Sequence, residues 1–180
     1  MNTTTGKHTE GRLRNSTSKV SDKVLFVIDD DTTILDVICS HLEICGFRSD
    51  NLHKFSSACE ALEIIRFVQP NLIISDIHMP GISGDSLAKL IQWPEFKKSP
   101  VIAITGDSEF NIESTAGSFL NSVIYKPIDS LDLVNTVVET LNLAERQELA
   151  AETDRRQRTE EINLAIQNKE YSLREAFGKS

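Results

Sequence analysis

The sequence contains no apolar run approaching the roughly 18–20 residues that a membrane-spanning helix needs. Its opening, MNTTTGKHTEGRLRNSTSKVSD, also lacks the apolar core of a signal peptide. We therefore expect a soluble, cytoplasmic chain without membrane insertion, beginning with a disordered polar arm over residues 1–22. Cysteine is scarce: Cys39, Cys45 and Cys59 form no C-x-x-C pair and leave an odd count. That fits reduced thiols on helices or in a core better than a disulfide framework. Basic residues are in deficit, 19 against 27 acidic, for a net charge of −8. The deficit is concentrated in residues 21–140, which hold 8 basic and 18 acidic side chains. Such a balance disfavours direct binding of nucleic acid or of an anionic membrane, because both require a basic face. Gly and Pro are absent between positions 129 and 177. A helix starting near Asp129 therefore meets no breaker for most of the remaining chain.

At 180 residues there is room for one core of ordinary size and an appendage. Short β-branched apolar runs recur: VLFVI at 24–28, NLII at 71–74, PVIAIT at 100–105 and SVIY at 122–125. Each is apolar throughout, as expected of strands buried on both faces. A weaker run, GFRSDNL at 46–52, completes a set of five. Helical spacing lies between them, with Ile34, Ile38, Leu42 and Cys45 in the first segment and Ala58, Leu62 and Ile65 in the second. Five βα units joined by right-handed crossovers predict a doubly wound α/β fold, a five-stranded parallel sheet with helices on both faces. Ligands of such sheets bind at the carboxyl ends of the strands, where the strand order reverses. The best heptad register in the last segment puts Leu141, Ala144, Glu148, Ala151, Arg155, Arg158, Ile162 and Ala165 on one seam, too polar for a strong coiled coil.

The residues that follow the apolar runs carry the chemistry. The first run ends in Asp29, Asp30 and Asp31, the third in Ser75 and Asp76, the fourth in Thr105 and Gly106, the fifth in Lys126 and Pro127. In a parallel sheet these all face one edge. Carboxylates gathered there repel one another unless a cation sits among them, and hard oxygen ligands suit Mg²⁺. A lysine and a threonine hydroxyl at the same spot suit phosphoryl oxygens. The predicted chemistry is phosphoryl transfer to or from a carboxylate. Taken singly these residues have blander readings: Asp31 or Thr32 as a helix N-cap, Thr105 as a β-former, Lys126 as a solvated charge.

Two families resemble the opening motif. Read as D-x-D-x-T, Asp29, Asp31 and Thr33 resemble the first motif of haloacid dehalogenase-like phosphatases, with Asp29 as nucleophile and with Thr105 and Lys126-Pro127 imitating later motifs. Read as an adjacent pair, Asp29 and Asp30 resemble the metal-binding pair of response-regulator receiver domains of two-component signalling. The segment NLIISDIHMPGISG, with Asp76, the Pro80-Gly81 turn and Gly84, is similar to the receiver segment around the phosphoacceptor. The phosphatase family has no use for it. The receiver resemblance covers residues 23–143 with its motifs in order, leaving a helical extension or linker over 144–180.

That resemblance implies a flavodoxin-like strand order of 2-1-3-4-5, to which the breaker-free stretch after Asp129 adds an extended C-terminal helix. It implies Mg²⁺ held by Asp29, Asp30, Asp76 and the backbone carbonyl of His78. Asp76 would accept a phosphoryl group from a sensor histidine kinase or a histidine phosphotransfer protein, and Thr105 and Lys126 would bind its oxygens. Such a chain catalyses only its own phosphorylation and dephosphorylation. Pro127 is expected to follow a cis peptide bond. Receivers usually carry Tyr or Phe three residues before the lysine; here Val123 stands there, and Tyr125, on the same strand face, is a candidate surrogate. His78 and Asp107 occupy positions that flank the path of the hydrolytic water and would tune phosphate lifetime. Output would be switched protein contacts with a downstream target, including a possible homodimer through the last helices. TEEINLAIQNKEYSL at 159–173 weakly resembles the start of EAL-type cyclic di-GMP phosphodiesterases, which makes a regulatory portion of such an enzyme the alternative.

Overall fold

The computed structural model describes residues 20–93, 96, 98–110 and 119–177. Five strands, β1 (Leu25–Ile28), β2 (Leu52–Phe55), β3 (Leu72–Asp76), β4 (Val101–Thr105) and β5 (Ser122–Tyr125), form one sheet in the order β2-β1-β3-β4-β5. Every pairing is parallel. This is the expected doubly wound order, and it reverses between β1 and β3, which are hydrogen-bonded neighbours.

Alternation along the strands feeds two cores. Leu25, Val27, Leu72, Ile74, Ile102, Ile104 and Ile124 face one side. There they meet Leu35, Ile38 and Leu42 of α1 (Thr32–Ile44) and Leu133, Val137 and Leu141 of α4 (Ser130–Phe177). Phe26, Ile28, Ile73, Val101 and Ala103 face the other side. They pack on Ala58, Ala61 and Ile65 of α2 (Ala58–Ile65) and on Leu87 and Ala88 of α3 (Gly84–Leu90). Each large side chain buried this way contributes about 1.5–3 kcal/mol, and truncating a central one such as Ile104 to Ala costs about 2–5 kcal/mol.

The structure shifts some expected boundaries. The second strand is not 46–52 but Leu52–Phe55. Gly46, at φ +99°, ends α1, and Ser49–Asn51 then form a 3₁₀ turn. Because β2 is an edge strand it tolerates the exposed Lys54 that disguised it. The buried stripe of α1 is Leu35, Ile38, Cys39 and Leu42, which includes the expected Ile38 and Leu42; Ile34 is half-buried against the same core and Cys45 is exposed at the C-cap. Within the arm expected over residues 1–22, Val20–Asp22 form a 3₁₀ turn, and Val20 packs on the first core. The helix expected between β4 and β5 falls largely on residues 111–118, outside the described residues.

Helix α4 begins where Asp129 accepts the amides of Leu131 and Asp132, an N-cap. It is buried through Leu141 and tied at Glu145 by an ion pair to the buried Lys23, just ahead of β1. Beyond that the seam residues Glu148, Ala151, Arg155, Arg158, Ile162 and Ala165 are exposed. This stretch carries i,i+4 ion pairs, Arg158–Asp154 at 2.9 Å and Arg156–Glu160 at 3.8 Å, of the kind that support a solvated helix.

Candidate functional site

The site is built at the carboxyl ends of β1, β3, β4 and β5, where backbone geometry fixes each side chain before any ligand arrives. Asp29 directly follows β1, and its amide donates to the Phe55 carbonyl at 3.2 Å. Its side chain is 1% exposed; Oδ1 accepts the Asp31 amide at 2.9 Å and Oδ2 accepts Lys126 Nζ at 3.0 Å. Asp76 ends β3, 4% exposed. Its Oδ1 lies 3.0 Å from Lys126 Nζ, and its Oδ2 accepts the His78 amide at 3.1 Å. Asp30 is exposed at the rim. One carboxylate oxygen from each of Asp29, Asp30 and Asp76 lies within 4.8 Å of the other two.

Charge sets the resting state. Burial lifts the Asp29 carboxyl above its ordinary value, and the Asp76 charge adds to the lift, against the pull of the Asp31 amide and of Lys126. Burial alone would lower Lys126, but hydrogen bonds to Asp29 and Asp76 outweigh it and hold the ammonium above the ordinary lysine value. One lysine therefore bridges two carboxylates. Three oxygen-donor carboxylates this close are a donor set that fits a hard divalent cation.

Thr105 closes the site from β4. It is fully buried, its Oγ1 accepts the Asp107 amide at 3.0 Å, and its carbonyl accepts the Lys126 amide at 2.8 Å. The peptide between Lys126 and Pro127 is cis. Asp31 is the N-cap of α1, accepting the Thr33 amide at 2.8 Å, and that bond holds its carboxyl below its ordinary value. Asp31 and Thr33 thus serve each other, and the D-x-D-x-T phosphatase reading loses its second and third members. Of the expected tuning residues, His78 is exposed beside Asp76 and Asp107 is exposed beyond Thr105. Val123 is half-buried against the second core. Tyr125 is half-exposed, its hydroxyl donating to the Phe110 carbonyl at 3.0 Å.

Two features were not anticipated from sequence. Ser75 Oγ donates to the Asp76 carbonyl at 3.1 Å. Gly84 sits against that same carbonyl, where a Cβ would stand 2.3 Å from the oxygen. The glycine was visible in the sequence, but its reason was not. Gly81, at φ +82°, makes the turn that returns the chain to this contact.

The geometry has parallels among known proteins. The family model for the response regulator receiver domain matches residues 25–138. The phosphoglycerate transport system transcriptional regulatory protein PgtA of Salmonella typhimurium is 28% identical over 145 residues, 78% of this chain and 32% of that protein. The transcriptional regulatory protein YvrH of Bacillus subtilis is 30% identical over 111 residues, 61% of this chain and 45% of that protein. The chain thus spans less than half the length of these two curated relatives. A CheY-like receiver domain structure from Methanospirillum hungatei superimposes with a TM-score of 0.61 at 27% identity, covering 69% of this chain and 98% of that one. Among the described residues no helix is long and apolar enough to cross a membrane. With the match running from the first strand into the last helix, the chain belongs to the response regulator receiver domain family.

Proposed function

We propose that Asp76 is the phosphoacceptor of this receiver and that the phosphoryl group comes from a cytoplasmic phosphohistidine, on a sensor histidine kinase or a histidine phosphotransfer protein. The observation that carries this reading is the double contact of Lys126, 3.0 Å from both Asp29 and Asp76. It fixes the direction of the Asp76 carboxylate while marking where a phosphoryl oxygen would find a cation. In the transfer, an Asp76 carboxylate oxygen forms the new O–P bond, the N–P bond of the donor breaks, and the imidazole leaves with a proton. Lys126 and the Thr105 hydroxyl then hold phosphoryl oxygens.

Mg²⁺ is the cation this reading requires, with Asp29, Asp30, Asp76 and the His78 carbonyl to hold it. When bound it neutralises charge on the phosphoryl oxygens. His78 and Asp107 tune phosphate lifetime from the rim. Residues 23–143 are the receiver and 144–180 its extension, and output is a change of protein contacts. A homodimer through the last helices ranks second, because the exposed seam of α4 is charged.

Intact-mass measurement after incubation with acetyl phosphate and Mg²⁺ tests the assignment. One phosphoryl adduct on wild type, absent from Asp76→Asn, is expected. An adduct that survives Asp76→Asn would overturn it.

A further inference from the structure

The loop after β4 is held at both ends by Tyr125, the last residue of β5, and Lys126, which directly follows it. Its near end is Thr105, the register partner of Tyr125, whose carbonyl accepts the Lys126 amide at 2.8 Å. Its far end is Phe110, whose carbonyl accepts the Tyr125 hydroxyl at 3.0 Å and whose ring is buried in the second core. Between these ends the loop is bonded to itself. The Phe110 amide donates to the Asp107 carbonyl at 3.2 Å, the Glu109 amide to Asp107 Oδ1 at 2.9 Å, and the Asp107 amide to Thr105 Oγ1 at 3.0 Å.

That last bond has a chemical consequence. A hydroxyl that accepts one amide has a lone pair committed, so its own proton is directed elsewhere. Thr105 is fully buried and ends its strand beside Asp76, to which β4 is paired through Ile104. The outer fastening of this chain of bonds, the Tyr125 ring, is 48% exposed. Burial therefore does not account for a tyrosine at this position; the hydroxyl has the specific partner. The ring also walls an open cavity of about 240 Å³ with Gly106, Ser108 and Lys126, which leaves the loop room to shift when the fastening is released.

We propose that Tyr125 is a positioning residue for phosphoryl transfer: by fastening the Phe110 carbonyl it holds the 106–110 loop so that the Asp107 amide orients the Thr105 hydroxyl toward the phosphoryl group. The inference rests on the Asp76 reading above, and it assigns to Tyr125 a role exercised through Thr105 rather than by contact with the phosphoryl group.

The test uses the full chain and four proteins: wild type, Tyr125→Phe, Thr105→Ala and the double variant. Phosphorylation rates are followed with acetyl phosphate and Mg²⁺, and amide hydrogen exchange is followed at Asp107 and Glu109. Tyr125→Phe removes one hydroxyl and is expected to slow phosphorylation about two- to tenfold, the range one ordinary hydrogen bond commands, and to speed exchange at both amides. In the Thr105→Ala background the same substitution is expected to change the rate by less than about twofold, since the group it acts through is gone. A Tyr125→Phe protein with wild-type rate, or losses that multiply in the double variant, would overturn the proposal. Failure of wild type to take up any phosphoryl group would instead remove the Asp76 reading, and this inference with it.

Discussion

Gly84 approaches the backbone of Asp76 so closely that a methyl group in place of its hydrogen would lie 2.3 Å from the Asp76 carbonyl oxygen and 3.0 Å from Ser75 Oγ. The first turn of α3 and the end of β3 therefore share one position in space. Gly84→Ala is expected to cost about 2–4 kcal/mol, because backbone rather than a flexible side chain must yield. It should also slow phosphorylation, since the displaced atom belongs to the acceptor residue itself. Urea unfolding checks the first outcome and the acetyl phosphate reaction the second. Gly81→Ala, with open space but a φ of +82°, is expected to cost only about 1–2 kcal/mol.

The bridge formed by Lys126 predicts a competition with metal. Without the ammonium, Asp29 and Asp76 face each other with no positive charge between them. Lys126→Ala is expected to lose about 1–3 kcal/mol in EDTA, a figure discounted for the partial exposure of the lysine. Saturating Mg²⁺ should restore more stability to the variant than it adds to wild type, because it no longer displaces a bound cation. Equal increments in the two proteins would show that ammonium and metal do not share these carboxylates.

Cys39 gives a prediction on the alkaline side. Burial pushes its thiol from 9.0 up to about 11. Between those values the folded chain keeps a proton that the unfolded chain releases, so stability present below pH 9 is lost as pH rises toward 11. The loss amounts to about 2–3 kcal/mol. Thermal midpoints of wild type and Cys39→Ala across that range should converge as pH rises. At neutral pH, iodoacetamide should modify the exposed Cys45 and Cys59 and spare Cys39 until the chain unfolds.

The division of α4 predicts two kinds of truncation. A chain ending at residue 150 keeps Leu133, Val137, Leu141 and the Lys23–Glu145 pair, and should unfold within about 0.5 kcal/mol of the full chain. A chain ending at residue 139 removes Leu141 from the core and leaves Lys23 buried without Glu145, at a cost of about 3–5 kcal/mol. Chemical denaturation of the two shortened chains distinguishes them.

The three central strands β1, β3 and β4 were legible because strands covered on both faces are written as unbroken apolar runs, and the edge strand β5 was legible from SVIY. Their ends located Asp29, Asp76, Thr105 and Lys126 without further information. Strand β2 was misplaced because an edge strand can carry Lys54 and His53, and LHKF has neither an apolar run nor clean alternation. In α1, Ile38 and Leu42 were legible from their spacing, whereas Leu35 and Cys39 complete the buried stripe and Ile34 packs only partly on it. The fastening of Phe110 by Tyr125 had no sequence signature at all. A side-chain bond to a backbone carbonyl fifteen positions away imposes no residue type on its acceptor.

Helix α4 leaves the core at Leu141 and continues to Phe177. At 1.5 Å per residue a straight helix carries its far end roughly 50 Å beyond that last buried contact. The Lys23–Glu145 pair ties the helix to the receiver core just beyond Leu141. A tilt of about 5° at that pair would sweep the far end through roughly 4 Å.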